Sequence, residues 1–121
     1  MAEEVYRQNV LDHYRSPRNF GALKKPTHRA GHANVSCGDQ LQFEAKIVGG
    51  TIAEIAFTGT GCAVSVAGAS LLSEHVKGKR FAASKKLKKK DIEKLLGIPI
   101  SPARERCALL GLETVQQLAK I

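Results

Sequence analysis

Three cysteines and one aspartate carry the chemistry most open to this chain. Cys37 lies in Val35-Ser36-Cys37-Gly38-Asp39, and Cys62 in Phe57-Thr58-Gly59-Thr60-Gly61-Cys62-Ala63. Cys107 lies in Pro102-Ala103-Arg104-Glu105-Arg106-Cys107-Ala108. Three thiolates and a carboxylate complete a four-ligand tetrahedral set, and thiolate selects zinc, cuprous copper or iron–sulfur clusters. Spacing alone supports this weakly. The cysteines stand 25 and 45 residues apart, with no Cys-x-x-Cys pair, so buried, inert thiols are an equal alternative on spacing.

Local context favours chemistry. Each cysteine sits where an element begins or ends. Cys62 follows two glycines at a strand-to-helix junction, where orphan backbone N–H groups and the positive end of the helix dipole lower a thiol pKa. Arg104 and Arg106 add positive charge beside Cys107. Asp39, by its local sequence, reads equally as a turn residue bonding its own backbone. His13, His28, His32 and His75 form no ligand-spaced pair. Only His32, five residues before Cys37, is an accessory candidate.

Composition bounds the rest. A chain of 121 residues, 43% hydrophobic and 25% charged, suits one domain over residues 1–121 that needs no disulfide staples. The acidic start, Met1-Ala2-Glu3-Glu4, shows no secretory signal, so cytoplasmic, reduced thiols are expected. The longest weakly polar stretch, Cys62 to Leu72, is too short to span a bilayer. A net charge of +8 permits an acidic protein, an anionic membrane or nucleic acid as partner. With 5% aromatic residues and no basic–aromatic interleaving, the chain has no base-stacking platform, which counts against nucleic acid. Lys85 to Lys90 reads as a solvated face.

The elements that must position these residues can be read in order. Glu3 to Tyr14 is an amphipathic helix, with Tyr6, Val10 and Tyr14 as its stripe, ending at Ser16-Pro17. Arg18 to Gly21 is a turn, and Gly21 to Gly31 an irregular loop. Three strands follow, over Ala30–Ser36, Leu41–Ile47 and Ile52–Phe57, the last two joined at Gly49-Gly50. Cys62 to Val76 is a helix of small residues stopped at Gly78. Phe81 to Ser84 is a short helical turn and Lys88 to Leu96 a helix ended by Gly97. The last helix is capped by Ser101, has Pro102 in its first position and runs to about Lys120. The expected fold is α+β: a small three-stranded antiparallel sheet with helices packed on it.

These motifs resemble the U-type iron–sulfur cluster scaffolds: IscU, SufU and the N-terminal domain of NifU. Tyr6-Arg7-Gln8, with Asp12-His13-Tyr14-Arg15-Ser16-Pro17-Arg18-Asn19-Phe20-Gly21, resembles the family's N-terminal helix and its DHY-x-x-PRN-x-G signature. Cys37-Gly38-Asp39, Gly59-Thr60-Gly61-Cys62-Ala63 with Ser65, and Pro102-Ala103-Arg104 with Cys107-Ala108 resemble its three cysteine motifs, the third closest to the SufU form. The resemblance implies that Cys37, Asp39, Cys62 and Cys107 bind iron and a transient [2Fe–2S] cluster. It also implies that Cys62 or Cys107 accepts persulfide sulfur from a cysteine desulfurase. A ferredoxin-like electron donor and apo iron–sulfur acceptor proteins are the further implied partners. Such a chain is a scaffold and not an enzyme. The alternative is a SufU-like sulfurtransferase with zinc on the same four residues.

Two departures limit the transfer. IscU proteins carry histidine directly before the third cysteine, within an LPPVK-type chaperone-binding segment. Arg106 and Ile100-Ser101-Pro102-Ala103-Arg104 stand here, so neither a histidine ligand nor the specialised Hsp70 chaperone carries over. SufU proteins carry an insertion between the second and third cysteines, and the 45-residue spacing leaves no room for it. A third reading, a basic binding module built on Lys85 to Lys90, leaves the cysteine motifs unexplained.

Overall fold

The computed structural model describes residues 2–34 and 38–121. Its elements are α1 (Ala2–Arg15), β1 (His28–Asn34), β2 (Asp39–Val48), β3 (Thr51–Thr60), α2 (Ala63–Val76), α3 (Phe81–Ser84), α4 (Lys89–Leu96), a 3₁₀ turn (Pro102–Arg104), α5 (Glu105–Gln116) and β4 (Ala119–Lys120). Among the described residues, no helix is long and apolar enough to cross a membrane.

The alternation in β2 sets the layering. Asp39, Leu41, Phe43 and Ala45 point inward and are buried, while Gln40 and Gln42 between them are exposed. Phe43 pairs with Phe57 of β3, and their rings stack 5.3 Å apart. The β2–β3 turn falls at Gly49 and Gly50, whose φ angles of 58° and 81° are the left-handed values a tight two-residue hairpin requires. The α2 and α5 helices pack against the sheet.

The sheet has four antiparallel strands in the order β3-β2-β1-β4, one more than the sequence predicts. The extra strand comes from the C-terminus. The last helix ends at Gln116 instead of continuing to about Lys120, and Ala119 and Lys120 pair with Arg29 and His28. Strand β1 starts at His28, inside the segment expected to be irregular. Its sequence, His-Arg-Ala-Gly-His-Ala-Asn, has little intrinsic strand preference, and pairing with β2 on one side and β4 on the other holds it. Val35 and Ser36 of the expected strand lie outside the described residues. Ser101 makes no side-chain cap, and Pro102 opens a 3₁₀ turn that leads into α5.

Helix α2 is the centre of the packing. Its small residues serve closeness to α5: a Cβ on Gly111 would lie 3.3 Å from Ala69 Cα, and one on Gly68 3.3 Å from the Ala108 carbonyl oxygen. That approach places the starts of the two helices, with Cys62 and Cys107, at one end of the molecule. On another side, the serines of α2 hold the N-terminal signature. His13 Nδ1 lies 2.7 Å from Ser70 Oγ, which also accepts from the Arg18 backbone N–H at 2.8 Å. Asn19 Nδ2 donates to Ser73 Oγ at 3.0 Å. Asn19 takes a φ of 58°, and its carbonyl accepts from the Phe57 N–H, so the turn is tied to β3 as well. Among the described side chains of α1, Val10 and His13 are the buried ones. Tyr14, expected on the apolar stripe, is 43% exposed.

Two outcomes follow. Ser70→Ala removes the partner of a buried imidazole and of a partly buried N–H, so chemical denaturation should show a loss on the order of 1–3 kcal/mol. Burial, with Arg18 second, holds the His13 imidazole below its ordinary value of 6.5, against weaker pulls from Glu74 and Asp12. The folded state therefore favours neutral His13. Its contribution is complete above pH 6.5 and is lost as pH falls below that value, through the depressed folded pKa. The midpoint of unfolding should drop over that range in the native chain, and His13→Asn should flatten the slope.

Candidate metal and sulfur-transfer site

The site forms where the start of β2 meets the start of α2. Asp39 begins β2 facing inward and is 3% exposed. Its Oδ1 accepts the Cys62 backbone N–H at 3.1 Å, and its Oδ2 accepts the Ser65 hydroxyl at 2.7 Å. The carboxylate thus sits over the N-terminus of α2, where negative charge is stabilised by the helix dipole. Glycine makes this approach possible. A Cβ on Gly61 would lie 3.1 Å from Asp39 Oδ1 and 3.0 Å from Ser65 Cβ. Gly59, at φ 145°, has no space for one either, because it would overlap the Gln40 carbonyl oxygen.

Cys62 is the N-cap residue of α2, with φ −71° and ψ 170°, and is half-buried. Burial raises its thiol pKa. The Ser65 hydroxyl and the backbone N–H groups of Ser65 and Val64 outweigh that, and Asp39 opposes them weakly. The net direction is down, as a thiol at a helix start should behave. Cys107 is buried in the first turns of α5. Arg104 and Arg106 beside it are exposed.

The sulfurs of Cys62 and Cys107 and a carboxylate oxygen of Asp39 all lie within 4.8 Å of one another. Tetrahedral zinc with thiolate bonds near 2.3 Å sets its ligand atoms about 3.8 Å apart. The three atoms therefore need only a modest contraction to share one thiophilic ion, and the donor set of soft sulfur with one harder oxygen fits zinc or iron. Cys37, the fourth predicted ligand, lies outside the described residues. His32 is not in this group. Its Nε2 pairs with Glu113 at 3.1 Å.

Residues 5–120 match the family described as the NifU-like N terminal domain. The chain belongs to that family. Curated relatives of this NifU-like domain span most of its length. The chain is 37% identical to the iron-sulfur cluster assembly scaffold protein IscU of Aquifex aeolicus, over 95% of this chain and 74% of that protein. It is 35% identical to the iron-sulfur cluster assembly enzyme IscU of Drosophila melanogaster, over 93% of this chain and 74% of that one. It is 30% identical to the zinc-dependent sulfurtransferase SufU of Bacillus subtilis, over 95% of this chain and 89% of that protein. The SufU alignment extends over 132 residues, more than the 121 present here, so SufU carries residues that this NifU-like domain lacks. Solved structures agree in fold. FiSufU from Fervidobacterium islandicum superposes with a TM-score of 0.78 at 22% identity, covering 94% of this chain and 96% of that chain. A NifU-like N-terminal protein from Brucella abortus superposes with a TM-score of 0.78 at 18% identity, covering 94% and 91%.

Ser65 enters the sequence reading only as a member of the second cysteine motif and as one more small residue of α2, with no role of its own. The signal for it was its position: three residues after a helix N-cap, one turn from Cys62. The exposure difference between the two thiols gives a direct check. Iodoacetamide on metal-stripped protein, followed by peptide mass mapping, should modify Cys62 several-fold faster than Cys107; equal rates would contradict the arrangement.

Proposed function

We propose that this NifU-like domain is an iron–sulfur cluster assembly scaffold that receives sulfur and iron, holds a [2Fe–2S] cluster briefly and passes it on. The observation that carries the reading is the convergence of Asp39, Cys62 and Cys107 at the β2–α2 junction, in a chain of this family. Cys37 is proposed as the third thiol ligand, on the strength of its motif. The cluster is cargo here, and the single domain turns over no small-molecule substrate.

The protein's own chemistry is sulfur acceptance and ligation. Cys62 is the better placed acceptor, being more accessible than Cys107 and having a lowered thiol pKa. Its thiolate attacks the outer sulfur of a desulfurase persulfide. A sulfur–sulfur bond to Cys62 forms, the donor's sulfur–sulfur bond breaks, and the donor thiolate leaves, with no net change of oxidation state. Cys107 is a second candidate acceptor. Converting the carried sulfur to sulfide takes two further electrons, which an external donor of the ferredoxin class supplies. Acceptors are apo iron–sulfur proteins, and the proposed compartment is the cytoplasm. A mixed set of thiolates and one carboxylate suits temporary holding, because the harder oxygen is the more exchangeable ligand for these metals.

One observation favours a second reading. The same donor set meets the requirements of tetrahedral zinc, and a relative named as a zinc-dependent sulfurtransferase aligns with 95% of this chain. In that case zinc stays bound and the chain passes sulfur without building a cluster.

Anaerobic incubation with a cysteine desulfurase, cysteine and ferrous iron separates the two. The scaffold reading expects about two irons and two acid-labile sulfides per site, with visible absorption that disappears in Cys37→Ser, Cys62→Ser and Cys107→Ser. Cluster assembly unchanged in all three variants would overturn the site. One tightly held zinc that resists exchange, with faster desulfurase turnover, would establish the sulfurtransferase instead.

A further inference from the structure

Ser65 occupies a position that neither reading assigns. Its side chain is 1% exposed and lies at the third position of α2, one turn beyond Cys62. Its hydroxyl oxygen is 2.7 Å from Asp39 Oδ2 and 3.6 Å from Cys62 Sγ, so it touches both of those candidate ligands. The other carboxylate oxygen, Oδ1, is held by the Cys62 N–H at 3.1 Å. Asp39 is thus gripped at both oxygens by donors from one helix turn, and that turn also carries the Cys62 sulfur. Its rotation is fixed relative to the sulfur it would share a metal with. Each carboxylate oxygen has lone pairs beyond the one that accepts a hydrogen bond, so the grip leaves room for a metal.

We propose that Ser65 is a positioning residue for metal binding. Its hydroxyl sets the Asp39 carboxylate facing Cys62 and Cys107, and through Asp39 it sets how tightly the site holds a metal. This rests on the metal-site reading above, common to the scaffold and the zinc alternatives. The physical basis is general: groups that hydrogen-bond to a ligand orient it, and removing one costs roughly 10–100-fold in metal affinity. Ser65 need not touch the metal to have this effect.

The test uses Zn²⁺ and Co²⁺ alone, with affinity read by competition against a chromophoric chelator. The Co²⁺ ligand-field and thiolate charge-transfer bands report the geometry. Ser65→Ala should weaken binding of both ions by about 10–100-fold and shift the Co²⁺ bands, while the far-UV spectrum stays native. Ser65→Thr, which keeps a hydroxyl, should bind close to the native chain. In an Asp39→Ala background, Ser65→Ala should cost less than about twofold, because the carboxylate it positions is gone. Should Ser65→Ala fail to fold, Ser65→Thr against Ser65→Val makes the same comparison, since the two differ by the hydroxyl at nearly constant shape. Native affinity and spectrum in Ser65→Ala would overturn the proposal alone. So would an undiminished loss in the Asp39→Ala background. A native chain that binds neither ion would overturn the metal-site reading itself, and this inference with it.

Discussion

The arrangement depends on one buried carboxylate. Asp39 belongs to the sheet, yet both of its oxygens are satisfied by the first turn of α2. A buried acid without partners would cost several kcal/mol, so the fold is constrained to bring the strand start and the helix start together. That single demand explains the glycines around it. Gly61 must lack a side chain because Asp39 and Ser65 fill the space a Cβ would take, and Gly59 must lack one because β2 passes against it. The Gly-Thr-Gly run before Cys62 is therefore a clearance requirement, and it sets Cys62 at the start of α2, where the Ser65 hydroxyl and the backbone N–H groups of Ser65 and Val64 lower its thiol pKa.

Helix α2 transmits this constraint to the rest of the chain. Small residues let it approach α5 closely enough to bring Cys107 beside Cys62. Ser70 and Ser73 satisfy His13, the Arg18 N–H and Asn19, so the N-terminal signature anchors the helix from another direction. The signature residues do structural work at a distance from the thiols: they hold the rod on which Cys62 is mounted. The basic segment is a separate matter. Lys89 pairs with Glu105 at 3.2 Å, Lys85 lies over the Phe81 ring, and Lys85, Lys86, Lys88 and Lys90 are exposed, which is how a solvated face is built.

Much of this was legible in the sequence where one local rule decides the outcome. The alternation from Leu41 to Ile47, the Gly49-Gly50 turn, and the glycines at 78 and 97 each report a local preference that nothing in the tertiary structure opposes. The places that resisted reading are those settled by distant partners. Strand β1 has weak local propensity and exists because β2 and β4 flank it. Strand β4 needs Arg29 and His28 as partners, which no window around Ala119 can reveal. On α1, the inward position after Val10 is taken by His13 because Ser70 waits for it, and a rule that ranks tyrosine as more apolar than histidine selects Tyr14 instead. Within the site, Asp39 and the two cysteines could be nominated from context and family resemblance. Ser65 stood there only as a member of the second cysteine motif, and its contact could not be read, since that contact is an oxygen 2.7 Å away on a residue 26 positions earlier.

The same carboxylate bears on what the site can be used for. In many small metal-binding domains the ligands have no other partners, so binding the metal and folding are one event. Here the Asp39 hydrogen bonds are internal to the protein, and the hydrophobic core, from Phe43 and Phe57 through Leu72 to Val115, is built independently of the thiols. These hydrogen bonds hold β2 against α2 from within the protein. The same hydrogen bonds fix the direction of the carboxylate toward the sulfurs with which it would share a metal. The joining of β2 to α2 and the aim of the Asp39 carboxylate thus have a common origin in the two donors at the start of α2.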